Sequence, residues 1–476
     1  MANVCLSLAH IAGCGLVLLS TIVLGCRALP TRAADPAASP AAGVVDIAGR
    51  RPNVIYIVCH DLGRTLGAYG DKSVKSPCLD RLAASGVVFT NYFCSSSPCT
   101  PSRGCAMTSS YAHENGLMGL EHRGWSYRQG QRTVAHELAD AGYRTQLMGF
   151  QHEGHDAAEL GYQEAWTKST DAGKVAEQVA EFLAAQNPGG KPFYLNAGFF
   201  QVHRPYLKGG LQPADPAAVA VPGYLPDTPE VRRDVADFHA SIAYMDAAVG
   251  RIVEALDKSA VKDDTVLIFT TDHGEANPRA KGTLRDPGLG VALVMRVPGV
   301  RGGVRRAELL TNLDVAPTVL AMAGVAPPPY MRGRSFLPLV AGGEYRKREE
   351  IFAEINCHSY FDPMRCVRTE RYKYIRYWRR DVPAVSLPSD VKKEGLGAIL
   401  GAAELAPRRD LEELFDLRAD TAESRNLAAD PACAAVLADL RGRLEAWMRE
   451  TDDPLLGAAD AKKAIALPAK QPMDPQ

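Results

Sequence analysis

The chain alternates short apolar runs with segments of helical spacing from about residue 50 to about residue 345, and this alternation restricts the fold. Runs such as "NVIYIV" (53–58) and "TVLIFTT" (265–271) have the length and β-branched content of strands. Residues 229–257 instead repeat apolar side chains every three or four positions, which is typical of an amphipathic helix. Strands that alternate with helices predict an α/β fold, with a large, mostly parallel sheet flanked by helices.

Polar segments follow four of the predicted strands. "CHD" comes after "NVIYIV", "GFQHE" after "RTQLM", "FFQVHRP" after "PFYLN", and "TDHGE" after "TVLIF". Ligands of such sheets bind outside the carboxyl ends of the strands, so these segments are expected to share one site. A single histidine at a strand end is usually an ordinary loop residue, but four such ends together indicate function.

The pattern changes at about residue 345, so we predict a catalytic domain at 50–345 and a smaller C-terminal α+β domain at 346–456. "EIFAEI" and "CVRTERYKYIRYW" predict an antiparallel sheet, and "ACAAVLADLRGRLEAWMRE" predicts a terminal helix. Residues 381–410 form a Pro/Gly/Ala-rich excursion. Residues 457–476 are expected to form a polar tail.

Residues 1–45 predict an export signal followed by a flexible linker. "IAGCGLVLLSTIVLG" (11–25) is apolar and uncharged, with the length of a signal-peptide core, although "MANVCLSLAH" before it lacks Lys and Arg. The Ala/Pro-rich "CRALPTRAADPAASPAAG" is typical of a tether. "VLGC", ending at Cys26, resembles a lipoprotein cleavage box, and cleavage after "TRA" or "RAA" is the alternative. We therefore expect an exported protein, periplasmic or secreted, with lipid anchoring through Cys26 left open.

Net charge and cysteine spacing exclude several classes. The net charge of −1 gives no indication of a nucleic-acid partner. Three of the eleven cysteines lie in the leader, and the remaining eight show neither a C-x-x-C pair nor regular spacing. Neither a zinc module nor a disulfide scaffold is indicated, while one or two bridges are compatible with an oxidising compartment.

Cys99 lies in "SSSPCTPSRGCAMTSS" (95–110), shortly before Pro101 and Arg103. A cysteine that only packs needs neither a stiffened backbone nor a permanent charge beside it. Cys99 is therefore a candidate for a reactive or modified residue.

Two acids at strand ends, Asp61 and Asp272, are candidates to hold a divalent cation. Carboxylates are hard ligands, and the neighbouring His60 and His273 offer softer ones. The alternative is that the acids cap loops or helices.

Further basic side chains would form a cationic pocket around Cys99: Arg103, His152, His203 and Lys281. Such a pocket suits a tetrahedral oxyanion, because fixed positive charge stabilises the charge that develops during transfer. Arg103 follows Cys99 too closely for a tyrosine-phosphatase-like loop. "GRTLGAYG" lacks the Lys-Ser/Thr of a P-loop, and no G-x-S-x-G elbow occurs.

Together these motifs resemble the type I sulfatases of the alkaline-phosphatase-like superfamily. "CTPSR" is similar to their C-x-P-S-R signature, "RPNVIYIVCHDLG" to the first metal loop, and "TDHGE" with "KGTLRDPG" to the second metal loop and the sulfate-binding lysine. "SPCLDRLAASGVVFTNYF", "RTERYKYIR" and "ELFDLRADTAESRNLA" follow in the family's order. "TSSYAHENGLMGL", "YLPDTPEVRRD", "DPMR" and "WMRETDDP" resemble the subgroup of heparan N-sulfatase (sulfamidase) and its bacterial relatives.

The resemblance implies that a formylglycine-generating (sulfatase-maturing) enzyme oxidises Cys99 to formylglycine. The hydrated aldehyde attacks sulfur with one hydroxyl, and sulfate leaves as the second hydroxyl loses its proton. The implied substrate is a sulfated carbohydrate, N-sulfoglucosamine or another glycosaminoglycan unit.

The resemblance also assigns roles by matching positions. Arg103 would orient the diol, Lys281 would contact sulfate, and His152 and His203 are candidates for the general acid. The metal, usually Ca²⁺ in this family, is expected on His60, Asp61, Cys99, Asp272 and His273.

Three positions depart from the family pattern. His60 replaces the first residue of an Asp-Asp pair, Phe150 replaces a lysine, and Ser110 lies where Arg or Lys is frequent. Two fewer cations would reduce stabilisation of the sulfate charge unless other arginines compensate, the candidates being Arg64, Arg204 and Arg285.

His358 and Arg365, in "EINCHSYFDPMR", are candidates for sugar contacts, with ordinary strand and loop positions as the alternative.

Two functions other than sulfate hydrolysis also stay open. A phosphonate or phosphate monoester hydrolase shares the Asp-His metal pairing, and a non-catalytic glycan-binding relative would tolerate Phe150 and Ser110. The sequence does not determine the oligomeric state.

Overall fold

The computed structural model describes residues 47–385, 387–393 and 409–475. The predicted export signal and linker lie outside the described residues, as does part of the predicted excursion at 381–410. Both sheets discussed below lie within the described part.

Ten strands within the described residues precede residue 345: β1 (Asn53–Cys59), β2 (Val87–Phe89), β3 (Tyr92–Phe93), β4 (Arg144–Gly149), β5 (Glu164–Trp166), β6 (Phe193–Gly198), β7 (Thr265–Thr271), β8 (Leu293–Arg296), β9 (Val304–Arg306) and β10 (Leu310–Thr311). Eight form one sheet in the order β5-β4-β6-β1-β7-β8-β2-β9, and β3 pairs with β10. In the large sheet β8 runs antiparallel to β7 and β2, and the other neighbouring pairs are parallel. The predicted mostly parallel sheet is confirmed.

Helices cover both faces of this sheet. They are α1 (Pro77–Ser85), α2 (Cys99–Thr108), α3 (Ala112–Asn115), α4 (Val134–Asp140), α5 (Ala172–Ala184), α6 (Pro229–Lys258), α7 (Asp286–Leu289), α8 (Val315–Ala323) and α9 (Leu337–Ala341). Because side chains alternate along a strand, Ile55 and Ile57 of β1 pack with α1, α5 and α6, while Val54 and Tyr56 pack with α2, α4 and α8. Within the described segments, we find no helix with the length and apolar character needed to cross a bilayer.

Helix α6 shows how local sequence sets these elements. It begins where the Thr228 side chain accepts a hydrogen bond from the Val231 amide, with Pro229 in the first turn, a position that proline tolerates well. The predicted apolar stripe is buried along its whole length: Val231, Val235, Phe238, Ile242, Met245, Val249, Ile252 and Leu256. Burial of one stripe against α5 and β1 positions the helix that leads into β7.

A second, antiparallel sheet follows, with β11 (Glu350–Cys357), β12 (Phe361–Thr369), β13 (Tyr372–Tyr377) and β14 (Glu412–Asp416) in that order. The later helices are α10 (Ser389–Lys393), α11 (Ala434–Glu450) and α12 (Ala461–Ala464). Helix α11 packs on the sheet through Leu440 and Leu444, as expected for the predicted terminal helix. The division at about residue 345 stays a prediction, although β10 and β11 lie on either side of it.

The predicted polar tail packs against the second sheet and its neighbours. The amide of Phe361 donates to the carbonyl of Pro472 (3.0 Å), and Trp125 Nε1 donates to Gln471 Oε1 (3.1 Å). These hydrogen bonds hold the last described residues against the second sheet and Trp125.

A buried ion-pair network joins the second sheet to the residues after α11. Arg365 Nε donates to Asp453 Oδ2 (2.5 Å), and Arg365 Nη2 lies 3.3 Å from Glu354 Oε2. His113 donates from Nδ1 to Glu354 Oε1 (2.9 Å) and from Nε2 to the Thr451 carbonyl (3.2 Å). Burial alone would lower the pKa of His113, but Glu354 and Asp453 raise it. Two positive charges thus balance two buried carboxylates.

We predict that Arg365→Ala lowers the free energy of unfolding by about 3–5 kcal/mol, because Glu354 and Asp453 would lose their shared partner while buried. Arg376→Ala is the matched control. Arg376 lies opposite Arg365 on β13, its ion pair with Glu445 is exposed, and its loss should change the unfolding free energy by less than about 1 kcal/mol. Urea unfolding followed by circular dichroism measures both variants, and equal losses would contradict the assignment.

Candidate active site

The carboxyl ends of β4, β6, β1 and β7, which are neighbours in the sheet, bring the polar segments together. The residues that follow these strands are His60 and Asp61 after β1, His152 after β4, His203 after β6, and Asp272 and His273 after β7. Parallel strands end at the same edge of a sheet, which is why segments distant in sequence meet here.

Cys99 is the first residue of α2 and is 3% exposed. Its Sγ lies 3.2 Å from Nε2 of His273. Burial raises the pKa of the Cys99 thiol well above its usual range; Lys281 opposes the rise, and Asp61 and Asp272 add to it. In the cation-free chain Cys99 is therefore a protonated thiol, which is a poor nucleophile.

Asp61 and Asp272 are buried beside each other, and basic groups surround them. The Asp61 amide donates to Asp272 Oδ1 (3.0 Å), Lys281 Nζ donates to Asp61 Oδ2 (2.7 Å), and Arg103 Nε donates to Asp272 Oδ2 (3.1 Å). Burial alone would raise the pKa of both carboxyls. Lys281 and His60 outweigh it at Asp61, and His60, His273 and Arg103 outweigh it at Asp272, so both stay ionised.

Five buried side chains could hold a metal ion, each with one ligand atom within 4.8 Å of the others: His60, Asp61, Cys99, Asp272 and His273. We call this set the buried cluster. It is the ligand set expected from the sequence.

The imidazoles of the buried cluster fit a cation. His273 Nδ1 donates to the Gly274 carbonyl (2.8 Å), so its Nε2 lone pair faces Asp61 Oδ1 at 3.1 Å. Burial lowers the pKa of His60 to about 4, and its Nδ1 donates to Asp61 Oδ1 (2.9 Å). Nε2 of His60 then carries a lone pair, lacks a hydrogen-bond partner and lies 3.5 Å from Asp272 Oδ2. A cation bound between these atoms would contact both nitrogens and both carboxylates.

A cavity of about 330 Å³ opens above Cys99. Its lining includes Cys99, Leu120, His122, Arg123, His152, His203, Arg204, Pro205, Lys281, His358, Ser389 and Asp390. Four of the predicted substrate or proton-transfer residues, His152, His203, Lys281 and His358, therefore share one cavity. Burial and the nearby Lys281 lower the pKa of His358 to about 3, so this imidazole is neutral.

In both His203 and His152, the Nε2 atom lies near another polar side chain of the cavity. His203 Nδ1 donates to the Arg204 carbonyl (2.5 Å), and its Nε2 lies 3.6 Å from Asp390 Oδ2. His152 Nε2 lies 3.4 Å from His122 Nδ1. Burial is the main cause that lowers the pKa of both His203 and His152, so both are neutral bases near pH 7.

Arg365 does not reach this cavity, which corrects its expected sugar contact. Its side chain has no exposed surface, it does not line the cavity, and Asp453 and Glu354 bind its guanidinium. Arg365 stabilises the fold.

None of the three arginines considered as compensating cations is free to contact sulfate. Arg204 lines the cavity, but both terminal nitrogens donate to Asp234 at 2.6 Å. Arg64 donates to the Tyr92 carbonyl, and Arg285 pairs with Glu413.

Phe150, at the position of the family's lysine, packs against site residues. Its ring centroid lies 5.0 Å from the Arg103 guanidinium carbon and 5.1 Å from the His60 ring. A cation is thus replaced by an aromatic surface that supports Arg103. Ser110 is buried and donates to the Tyr330 carbonyl (3.1 Å), remote from these groups.

Three titratable residues of the cavity were not predicted: His122, Arg123 and Asp390. Lys281 Nζ donates to Asp390 Oδ2 (2.9 Å), although 109 positions separate the two residues. Asp390 lies in the Pro/Gly/Ala-rich excursion, where no motif marks it. The "EHRG" segment that carries His122 and Arg123 follows the signature closely, and that proximity was the available signal.

Comparisons with known proteins agree with this geometry. A family model described as "Sulfatase" matches residues 52–325, and one described as "N-sulphoglucosamine sulphohydrolase, C-terminal" matches residues 274–391. The chain is 28% identical over 486 residues to the human N-sulphoglucosamine sulphohydrolase, with 88% of this chain and 94% of the relative covered. It is 26% identical over 472 residues to an ulvan-active sulfatase of Formosa agariphila, with 85% and 76% covered.

A solved structure has a similar fold. It is a protein in complex with its substrate D-glucosamine-2-N,6-O-disulfate, with a TM-score of 0.66 and 17% identity, and it covers 85% of this chain and 98% of its own. At that identity the likeness establishes the fold.

We predict that Ca²⁺ or Mn²⁺ raises the thermal midpoint of unfolding and that Asp272→Asn removes this rise. A cation at one hundred times its Kd stabilises the folded chain by about 2.7 kcal/mol. Asp246→Asn is the control, because Asp246 is equally buried but accepts hydrogen bonds from the amides of Cys78 and Leu79. A cation-dependent rise that persists in Asp272→Asn would place the ion elsewhere.

Proposed function

This chain belongs to the sulfatase family, and on that premise we propose that it removes sulfate from a sulfated sugar, with N-sulfoglucosamine as the substrate. One observation carries the proposal: Cys99 lies inside the buried cluster and lines the same cavity as Lys281. The match of residues 274–391 to the C-terminal model of N-sulphoglucosamine sulphohydrolase supports the choice of substrate.

We assign the nucleophile to position 99 after maturation by a formylglycine-generating enzyme. In this two-electron oxidation the oxidant used by the maturing enzyme accepts two electrons, a C=O bond replaces the C–S bond of Cys99, and sulfur leaves as sulfide. Cys99 Sγ stands in for an oxygen of the hydrated aldehyde. When present, the hydrate supplies an oxygen nucleophile for the sulfur atom. The burial of the Cys99 thiol among carboxylates supports this assignment, because such a thiol is poorly suited to act as a nucleophile itself.

Lys281 and Arg103 supply fixed positive charge beside position 99. Although burial alone would lower it, Asp390 and Asp61 raise the pKa of Lys281 well above its usual range, so the ammonium stays charged. Arg103 donates to Asp272 Oδ2 and to the Cys59 carbonyl (3.2 Å), which fixes its orientation. Preorganised cations in a water-poor site stabilise the charge on the sulfate oxygens in the transition state.

A proton donor is needed for this substrate in particular. Cleavage of the N–S bond releases an amine, which has to be protonated, whereas an aryl sulfate releases a phenolate that leaves without a proton. We assign His203 as the donor, with His152 as a second candidate. Because both imidazoles are neutral in the free protein, the donor has to take up a proton when the substrate binds. Asp390, 3.6 Å from His203 Nε2, and the bound sulfate anion would raise the pKa of His203 and so favour the protonated imidazole that passes its proton to the amine.

The buried cluster is the proposed site of the divalent metal, for which we expect Ca²⁺. Two carboxylates suit a hard ion, and a bound cation would polarise the sulfate oxygens. The two imidazoles favour a softer ion, so metal analysis of purified protein decides the identity of the ion.

Export to the periplasm or medium is part of the same proposal and rests on the apolar segment 11–25.

We predict that the tryptic peptide of residues 82–103 carries an aldehyde at position 99 when the protein is made in its native host or with a maturing enzyme. The peptide also contains Cys94, which lies outside the signature and serves as an internal control. Fragment mass spectra after alkylation should show a labelled thiol at Cys94 alone. Active protein with labelled thiols at both positions would contradict the mechanism.

We predict that the matured enzyme hydrolyses glucosamine N-sulfate faster than an aryl phosphate, and that His203→Ala lowers kcat on the N-sulfate by about 10²–10⁴-fold. The loss on an aryl sulfate should be much smaller, because a phenolate needs no proton. His155→Ala is the control, since this histidine is 86% exposed and does not line the cavity.

The same assay separates the alternatives. A dominant phosphatase rate would favour the phosphonate or phosphate monoester hydrolase. Matured protein without turnover that still binds the sugar would favour the glycan-binding relative. Equal losses on N-sulfate and aryl sulfate in His203→Ala would remove the assigned proton transfer.

A further inference from the structure

We propose that Glu121, His122 and His152 form a second divalent-metal site, for Zn²⁺, at the mouth of the cavity. One ligand atom of each side chain lies within 4.8 Å of the others. None of the three belongs to the buried cluster. His122 and His152 line the cavity, and His122 is exposed at its rim.

The distance between the two imidazoles suits zinc. His122 Nδ1 and His152 Nε2 are 3.4 Å apart. Neighbouring nitrogens of a tetrahedral zinc site with Zn–N bonds of about 2.05 Å lie about 3.3 Å apart. The two rings are nearly parallel, with planes 7° apart, so the exposed His122 ring would turn to direct its lone pair at the same ion as His152.

The donor atoms are available. Glu121 Oε2 is buried and has no hydrogen-bond partner, and the Nε2 atom of exposed His155 lies 3.4 Å from it, where it could add a fourth ligand. Two positive charges oppose the cation: Arg103, which acts on His152, and Arg123, whose Nη1 donates to the Ser359 carbonyl (2.5 Å).

The donor set points to zinc rather than to calcium or magnesium. Two imidazoles with one carboxylate suit zinc, while calcium and magnesium prefer oxygen ligands. Solvent at the rim leaves room for water as a further ligand, as in open zinc sites.

Zinc at this site would inhibit the enzyme. The ion would occupy Nε2 of His152, a candidate proton donor, and would narrow the entrance of the cavity above Cys99. Inhibition rests on the proposed function, whereas zinc binding does not.

Equilibrium dialysis of the full-length protein against Zn²⁺, with Ca²⁺ in excess, tests the site by metal analysis. Wild type should retain one zinc ion more than His122→Ala and Glu121→Gln. Glu159→Gln is the control, because Glu159 is exposed, does not line the cavity and should leave the zinc content at the wild-type value. Circular dichroism confirms that the variants are folded. Equal zinc contents in wild type, His122→Ala and Glu121→Gln would overturn the proposal.

Inhibition is measured on the same proteins, each relative to its own zinc-free rate. Zinc bound to Glu121, His122 and His152 should lower the rate of wild type, because the ion would narrow the entrance above Cys99 and occupy His152. It should lower the rate of Glu121→Gln far less. Equal inhibition in both would assign the effect to the buried cluster and overturn the regulatory role. If the protein has no sulfatase activity at all, the zinc contents still test the site, so the two failures are distinguishable.

Discussion

The burial of two neighbouring carboxylates, Asp61 and Asp272, is the constraint on which the site depends. Two like charges removed from water are strongly unfavourable unless cations and hydrogen bonds compensate them. Lys281, Arg103 and the amide of Asp61 supply part of that compensation. A cation bound to the buried cluster would supply the remainder. The charges that stabilise the two carboxylates thus lie beside the cavity in which an anionic substrate would bind.

The long strands and helices are predictable from the sequence, because each spans enough residues for its apolar pattern to be recognised. The strands β1 and β7 and the helix α6 match the predicted segments closely, since a buried strand and an amphipathic stripe each leave a clear pattern. The strands β2, β3, β9 and β10 have three residues or fewer, and no periodicity can be recognised over such a length. Their pairing is decided by tertiary contacts with β8 and with one another.

The residues of the candidate site also divide into those that the sequence predicts and those that it does not. Its groups at strand ends, such as His60 and Asp272, follow from the topology, because parallel strands converge at one edge of a sheet. Asp390 and Arg365 do not follow from it. Asp390 lies 109 positions after the lysine it contacts, and the carboxylate of Asp453 that binds Arg365 lies 88 positions after it. The sequence around an arginine gives no local sign of whether its side chain contacts a sugar or a buried carboxylate.

The buried position of Cys99 restricts when the proposed oxidation can take place. Its thiol is 3% exposed, and all ten residues of α2 are buried, so no second enzyme could reach this side chain in the folded protein. The proposed oxidation therefore has to precede the closing of the chain around it. On the proposed mechanism, a molecule that folds before this oxidation would stay inactive. The yield of soluble protein would then not report the yield of active enzyme. The active fraction would depend on the relative rates of folding and of oxidation at Cys99.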